Sequence, residues 1–228
     1  MGIRSDDYSN IIGVDIEVSV DFLEFGELEE INDTLEIRTM EIESPNAEFI
    51  SLIFSEFRIP ENDEMYIYNR KKTILMGPFT SKNNPYDSMY AIDIIEDDNL
   101  ILEYHRKKYN DAKGKIFISK VIHGLNPLLR NDITSKERNT LQSNCYIDVN
   151  CPEGDGWDNQ KNGTCFILWL GYHPSNPTVW RENPWASAAL INNTRQDYTP
   201  YILTAEHNTQ GSGNNISLWV FRFKYWRS

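Results

Sequence analysis

Asp15-Ile16-Glu17-Val18-Ser19-Val20 sets Ile16, Val18 and Val20 against Glu17 and Ser19. An apolar residue at every second position is the signature of a half-buried antiparallel strand. The pattern continues through Leu35-Glu36-Ile37-Arg38 and Met40-Glu41-Ile42-Glu43. Further runs follow at Phe49 to Phe54, Met65 to Tyr68, Thr73 to Met76, Met89 to Ile95, Leu100 to Tyr104 and Lys115 to Val121. Turn residues separate them: Ser44-Pro45-Asn46, Ile59-Pro60-Glu61-Asn62-Asp63, Gly77-Pro78, Asn83-Asn84-Pro85 and Lys113-Gly114. About eight short strands at this spacing predict a β-sandwich. No segment of helical period competes, so the fold class is all-β.

Composition bounds the rest. The chain has 228 residues, enough for one large domain or two ordinary ones, and its 40% hydrophobic and 25% charged content is that of a globular protein. No run of 18 apolar residues offers a membrane span, so no membrane partner is expected. Met1 to Asn10 is polar and lacks an apolar h-region, so no signal peptide is expected here, and the protein is either cytosolic or has lost its leader. Net charge is −12 and the pI is about 4.8, a surface that repels phosphate backbones and excludes nucleic acid as a partner. The acidity is densest from Asp6 to Glu64, where eighteen Asp and Glu face only Arg38 and Arg58. It reads as a solvated surface, since no Asp-x-Asp-x-Asp-Gly loop supports calcium.

Two halves differ in character. Every Trp (157, 169, 180, 185, 219 and 226) and every Cys (145, 151 and 165) lies after residue 144. We therefore expect a β-sandwich domain over residues 10–124, an exposed polar linker over 125–144 and a second domain over 145–228. Strands in the second are expected at Thr164 to Leu170, Ser187 to Ile191, Tyr201 to Thr204 and Leu218 to Tyr225. Asn192-Asn193-Thr194-Arg195-Gln196-Asp197 is a hairpin-type connection and Gly211-Ser212-Gly213-Asn214-Asn215 a loop.

The most informative functional stretch is Thr204-Ala205-Glu206-His207, at the end of the β-type run Tyr201-Ile202-Leu203. A histidine leaving a strand into a polar loop is placed to accept a proton from a nucleophile. His105, His123 and His173 are scattered and read as structural or exposed. Ser212 resembles a nucleophile setting only superficially. The cysteines and histidines lack zinc spacing, so neither metal nor cofactor is expected.

Three ordered blocks carry a family resemblance: Cys145-Tyr-Ile-Asp-Val-Asn-Cys-Pro-Glu-Gly154, Ala189-Leu-Ile-Asn-Asn-Thr194 and Tyr201-Ile-Leu-Thr-Ala-Glu-His207. Together they resemble the secreted bacterial trypsin-like serine endopeptidases of the lysyl endopeptidase type. Ile50-Ser-Leu-Ile-Phe-Ser-Glu-Phe57 and Gly77-Pro-Phe-Thr-Ser-Lys-Asn-Asn84 are similar to the propeptide region such enzymes often carry. The resemblance implies a propeptide-like sandwich followed by an incomplete trypsin-like β-barrel. It implies a hydrolase of peptide or protein substrates, directed to Lys or Arg, secreted, with His207 as catalytic general base. In such a triad the base takes the nucleophile's proton and hands it to the leaving amine.

The departures are specific. The family's base is usually followed by a Cys bonded to another before the Gly-Ala-Leu segment; here those positions are Asn208 and Ala186. Losing a bridge typically costs about 2–4 kcal/mol unless packing compensates. Cys145 and Cys151 match family cysteines whose partners would lie further on, and Cys165 has no counterpart, so the three are either free thiols or await partners. The triad Asp and the Gly-Asp-Ser-Gly serine also fall later in the family, and Asp197 precedes the histidine. The expectation is an N-terminal part of a protease precursor, inactive as these 228 residues, as a fragment, a truncated gene product or a degenerate paralogue, with an apolar barrel face (Trp219, Val220, Phe221, Phe223, Tyr225, Trp226) open to self-association. The alternative is a non-catalytic β-sandwich binding or propeptide-like protein, its aromatics serving recognition.

Overall fold

The computed structural model describes residues 11–109, 111–126, 152–169, 179–181, 185–209 and 215–224. Most of the expected linker (127–144), Cys145, Cys151, His173, Ser212, Tyr225 and Trp226 lie outside the described residues.

The chain is all-β, as the alternation predicts. The described strands are β1 (Ile11–Asp21), β2 (Glu27–Glu30), β3 (Leu35–Glu43), β4 (Ile50–Arg58), β5 (Glu64–Tyr68), β6 (Leu75–Phe79), β7 (Tyr90–Ala91), β8 (Asn99–Lys107), β9 (Lys115–Gly124), β10 (Thr164–Trp169), β11 (Val179–Arg181), β12 (Trp185–Ile191), β13 (Tyr201–Leu203) and β14 (Trp219–Phe223). Among the described residues two short α-helices, α1 (Phe22–Phe25) and α2 (Asp158–Gly163), interrupt them. Strands form three antiparallel sheets, and none closes into a barrel among the described residues. The first runs β11-β1-β9-β4-β7, the second β2-β3-β8-β5-β6 and the third β13-β12-β10-β14.

The first two sheets pack face to face. Ile50, Leu52, Phe54 and Phe57 of β4 and Ile116 and Ile118 of β9 meet Met65 and Ile67 of β5 and Leu100, Leu102 and Tyr104 of β8 in one buried cluster, with Phe22 of α1 sealing it. Each such side chain contributes roughly 1.5–3 kcal/mol relative to exposure. Tyr104 is 2% exposed, so its hydroxyl needs a partner; it donates to Asp63 Oδ2 at 2.6 Å.

The other face of the first sheet is also covered. Ile12, Phe49, Ile53, Ala91, Ile94 and Ile122 pack against Leu168 of β10 and Leu218, with Phe166 and Val220 alongside. This explains β4: Ile50 to Phe54 are all buried, because this strand has apolar neighbours on both sides. It also joins the two halves of the sequence. β11 extends the first sheet by pairing with β1 (Gly13 with Trp180, Val14 with Val179). Arg222 on β14 donates from Nε and one terminal nitrogen to the two Asp93 oxygens, each at 2.6 Å.

Local departures from the expected strands have plain causes. β2 (Glu-Leu-Glu-Glu) is exposed throughout and sits at a sheet edge, where charge discourages pairing with other chains. Gly77-Pro78 is not a turn: both residues lie inside β6, an edge strand, where proline's missing donor costs no ladder bond. Gly77 has φ +120°, and a Cβ there would stand 2.7 Å from the Met65 carbonyl oxygen, so no other residue fits. Met89 to Ile95 yields only the two-residue β7 and an isolated bridge from Ile95 to Ile50.

Candidate active-site histidine

The third sheet presents His207. β12 and β13 form an antiparallel pair with Ala189 opposite Leu203, Leu190 opposite Ile202 and Ile191 opposite Tyr201. Their connection is closed by local polar bonds rather than packing. Asn193 Nδ2 donates to Asp197 Oδ1 at 2.7 Å, and the Thr199 amide donates to the same oxygen at 3.0 Å. These donors hold the Asp197 carboxyl below the usual carboxylate range. Asp197 thus organises its own loop.

After Leu203 the chain turns once as a short 3₁₀ segment, Glu206–Asn208. The Asn208 amide donates to the Ala205 carbonyl at 3.0 Å and the Thr209 amide to that of Glu206 at 2.9 Å. The turn sends successive side chains in different directions. His207 is exposed, while Asn208 is buried, at 5%. Among the described residues the His207 imidazole has no hydrogen-bond partner. Nothing described orients the ring; what is fixed is the backbone beneath it.

That fixing comes from a chain of hydrogen bonds legible only in three dimensions. Asn208 Nδ2 donates to Thr204 Oγ1 at 2.7 Å, and Thr204 Oγ1 donates to the Ser187 carbonyl at 3.0 Å. The chain ties the histidine turn to β12, the strand that also carries Ala186. Asn208 and Ala186 stand where the resemblance places a disulfide, and the polar relay joins the same two segments by other means. Burial of the Asn208 amide demands such partners, and nothing in the sequence announces that burial.

The remaining titratable candidates lie elsewhere. His123 Nδ1 is 2.7 Å from Ser44 Oγ and ties β9 to the turn after β3. His105 Nε2 is 2.6 Å from Glu103 Oε1 on the sandwich. Cys165 is a free thiol, 3% exposed, and burial raises its pKa. Among the described residues no cluster of three or more His, Cys, Asp or Glu could hold a metal ion, and no helix is long and apolar enough to cross a membrane.

The sheet behind His207 is apolar on both faces. Leu168 and Val220 look toward the sandwich. Cys165, Ile167 and Ala188, with Trp169, Trp219, Ala186 and Ile202, form a small cluster on the opposite face. At its margin Phe221 and Phe223 are 36% and 41% exposed.

Residues 141–228 match the family model of the lysyl endopeptidase C-terminal domain. That match covers the whole third sheet and the histidine turn, and it relates this segment to lysyl endopeptidases and to proteolysis. No solved structure matches the chain.

Proposed function

We propose that the chain is the N-terminal part of a secreted serine endopeptidase precursor in which His207 is the general base. Residues 10–124 are the propeptide-like sandwich, 125–144 the linker where processing occurs, and 145–228 the first part of a trypsin-like barrel. The observation that carries this reading is an exposed imidazole on a short turn at the end of β13, within the segment matching the lysyl endopeptidase model.

The mechanism follows from what such an imidazole can do. A neutral ring accepts a serine hydroxyl proton as the hydroxyl attacks a peptide carbonyl, then returns it to the departing amine. These 228 residues supply the base and not the Gly-Asp-Ser-Gly nucleophile, so as such they turn over no peptide. The preference for Lys or Arg belongs to the same proposal, as does secretion. The apolar face edged by Phe221 and Phe223 is where further barrel strands, or another copy, would pack.

The test has two parts. The coding sequence after Ser228 is read and the extended protein assayed on lysine, arginine and neutral peptide esters. A serine nucleophile in frame, hydrolysis confined to basic esters and a new N-terminus between residues 125 and 144 support the proposal. An extension without a nucleophile, and no turnover, overturns it in favour of a non-catalytic binding protein. One observation favours that second reading: the sandwich has a complete core of its own, from Phe22 to Val121.

A further inference from the structure

A cleft lies on the solvent face of the sandwich, far in sequence from His207. β5 and β8 pair with Glu64 opposite His105, Tyr66 opposite Glu103 and Tyr68 opposite Ile101. Their alternate residues Met65, Ile67, Leu102 and Tyr104 enter the core, so this polar and aromatic set faces outward. Of these, Tyr66, Tyr68, Glu103 and His105 line, with Lys72 and Leu75, a cleft of about 290 Å³.

Its floor is a carboxylate held between two rings. Glu103 Oε2 accepts from the Tyr68 hydroxyl at 2.6 Å, and Oε1 pairs with His105 Nε2 at 2.6 Å. Burial pushes the Glu103 carboxyl up, but the Tyr68 and His105 hydrogen bonds and the nearby Lys72 charge outweigh it and hold the group ionised. Burial and the same hydrogen bond push the Tyr68 phenol up to about 12, so its ring stays neutral. The Tyr66 ring lies 5.2 Å from that of His105, and its hydroxyl donates to Glu64 at 3.0 Å.

One cation already uses this chemistry. Lys72 Nζ stands 5.4 Å from the centroid of the Tyr68 ring. The turn that carries it is built to hold it there. Asn69, 1% exposed, accepts from the amides of Thr73 at 2.9 Å and Ile74 at 3.0 Å, and its carbonyl accepts from the Lys72 amide at 2.8 Å. Lys72 itself has φ +54°, a conformation that costs a non-glycine residue free energy and persists only when its surroundings impose it.

We propose that this cleft binds an alkylammonium group, and that Lys72 is its built-in competitor. Aromatic faces attract a cation through their quadrupole, and the attraction grows with partial desolvation. The Glu103 carboxylate sets the sign of the guest, Leu75 and the tyrosine rings cover its methylenes, and Lys72 must swing away for an external ammonium to enter. The proposal does not depend on His207.

The experiment is an NMR titration of the 228-residue chain with Nα-acetyl-lysine N-methylamide. Lys72→Gly removes the competitor and suits φ +54°, so it cannot unfold the turn. The wild type should show saturable shifts at Tyr66, Tyr68, Leu75 and Glu103, with binding in roughly the millimolar range. Lys72→Gly should tighten binding by about threefold or more, Lys72→Arg should leave it at the wild-type level, and Glu103→Gln in the Lys72→Gly background should weaken it about tenfold. n-Butylammonium separates the sources: equal binding assigns the site to the ammonium alone, and weaker binding assigns it to a peptide lysine. Absence of saturable shifts in Lys72→Gly, or equal binding of the neutral Nε-acetylated probe, overturns the proposal.

Discussion

Leu168→Ala tests whether the two halves of the chain unfold as one body. Leu168 is fully buried between β10 and the outer face of the first sheet, against a cluster that includes Ile12, Phe49, Ile53, Ile94 and Ile122. Removing three carbons from a site walled by two sheets leaves a cavity that rigid strands cannot close. The cost of such a truncation is about 2–5 kcal/mol, and a central value of about 3 kcal/mol is expected here. For a chain of this length that lowers Tm by about 6–12 °C. The assay uses a natural division of reporters, because every Trp lies in the second half of the sequence. Trp fluorescence follows the second half of the sequence, with Trp169, Trp185 and Trp219 on the third sheet and Trp180 on β11, while far-UV circular dichroism follows the strands of both halves. The shared cluster, the β1–β11 pairing and the Asp93–Arg222 pair predict coincident transitions in the wild type and an equal shift of both in the variant. Separate transitions, with Leu168→Ala moving the fluorescence alone, would refute the shared core. So would a cost below about 1 kcal/mol, the level of a surface substitution.

Three other outcomes are expected. Asn208→Ala breaks the relay to Thr204 and should cost about 1–2 kcal/mol, with hydrogen exchange at the Asn208 and Thr209 amides rising more than the global loss explains; unchanged local exchange would remove the relay's role. Gly77→Ala meets the Met65 carbonyl in a left-handed backbone position and should cost about 1–3 kcal/mol in urea unfolding, whereas a neutral result would mean β6 is free to shift. Glu103 has a lowered folded pKa, so its contribution is complete above the ordinary Glu range near about 4.3 and is lost as pH falls through the folded value. Glu103→Gln should therefore destabilise the protein at pH 7 and much less at pH 3; an equal effect at both would contradict the assignment.

The strands of the sandwich were legible wherever one face is wet. Met40 to Glu43 alternates in sequence because its outer face meets solvent and its inner residues Met40 and Ile42 pack on the core, whereas Leu35 and Ile37, in the opposite phase of the same unbroken strand, lie on the outer face. Ile50 to Phe54 alternates poorly because both its faces are buried, so its place between two layers appears only when the second layer does. β2 was hidden because glutamates disfavour strands in isolation, and only pairing with β3 makes Glu27–Glu30 one. β11 is invisible for a related reason: a three-residue strand has too little pattern, and its partner β1 lies more than 160 residues away. At the candidate site the histidine was readable from its strand exit. The Asn208–Thr204–Ser187 relay was not, because a polar residue after a histidine gives no sign in sequence of whether it faces water or β12.

The functional account stands or falls on the imidazole of His207. In the protein extended through the coding sequence after Ser228, His207→Ala should lower kcat/KM on lysine esters by roughly 10⁴–10⁶-fold, while His105→Ala, on the far sandwich, leaves it within about twofold. A His207→Ala variant that keeps its esterase activity contradicts the assignment of the base.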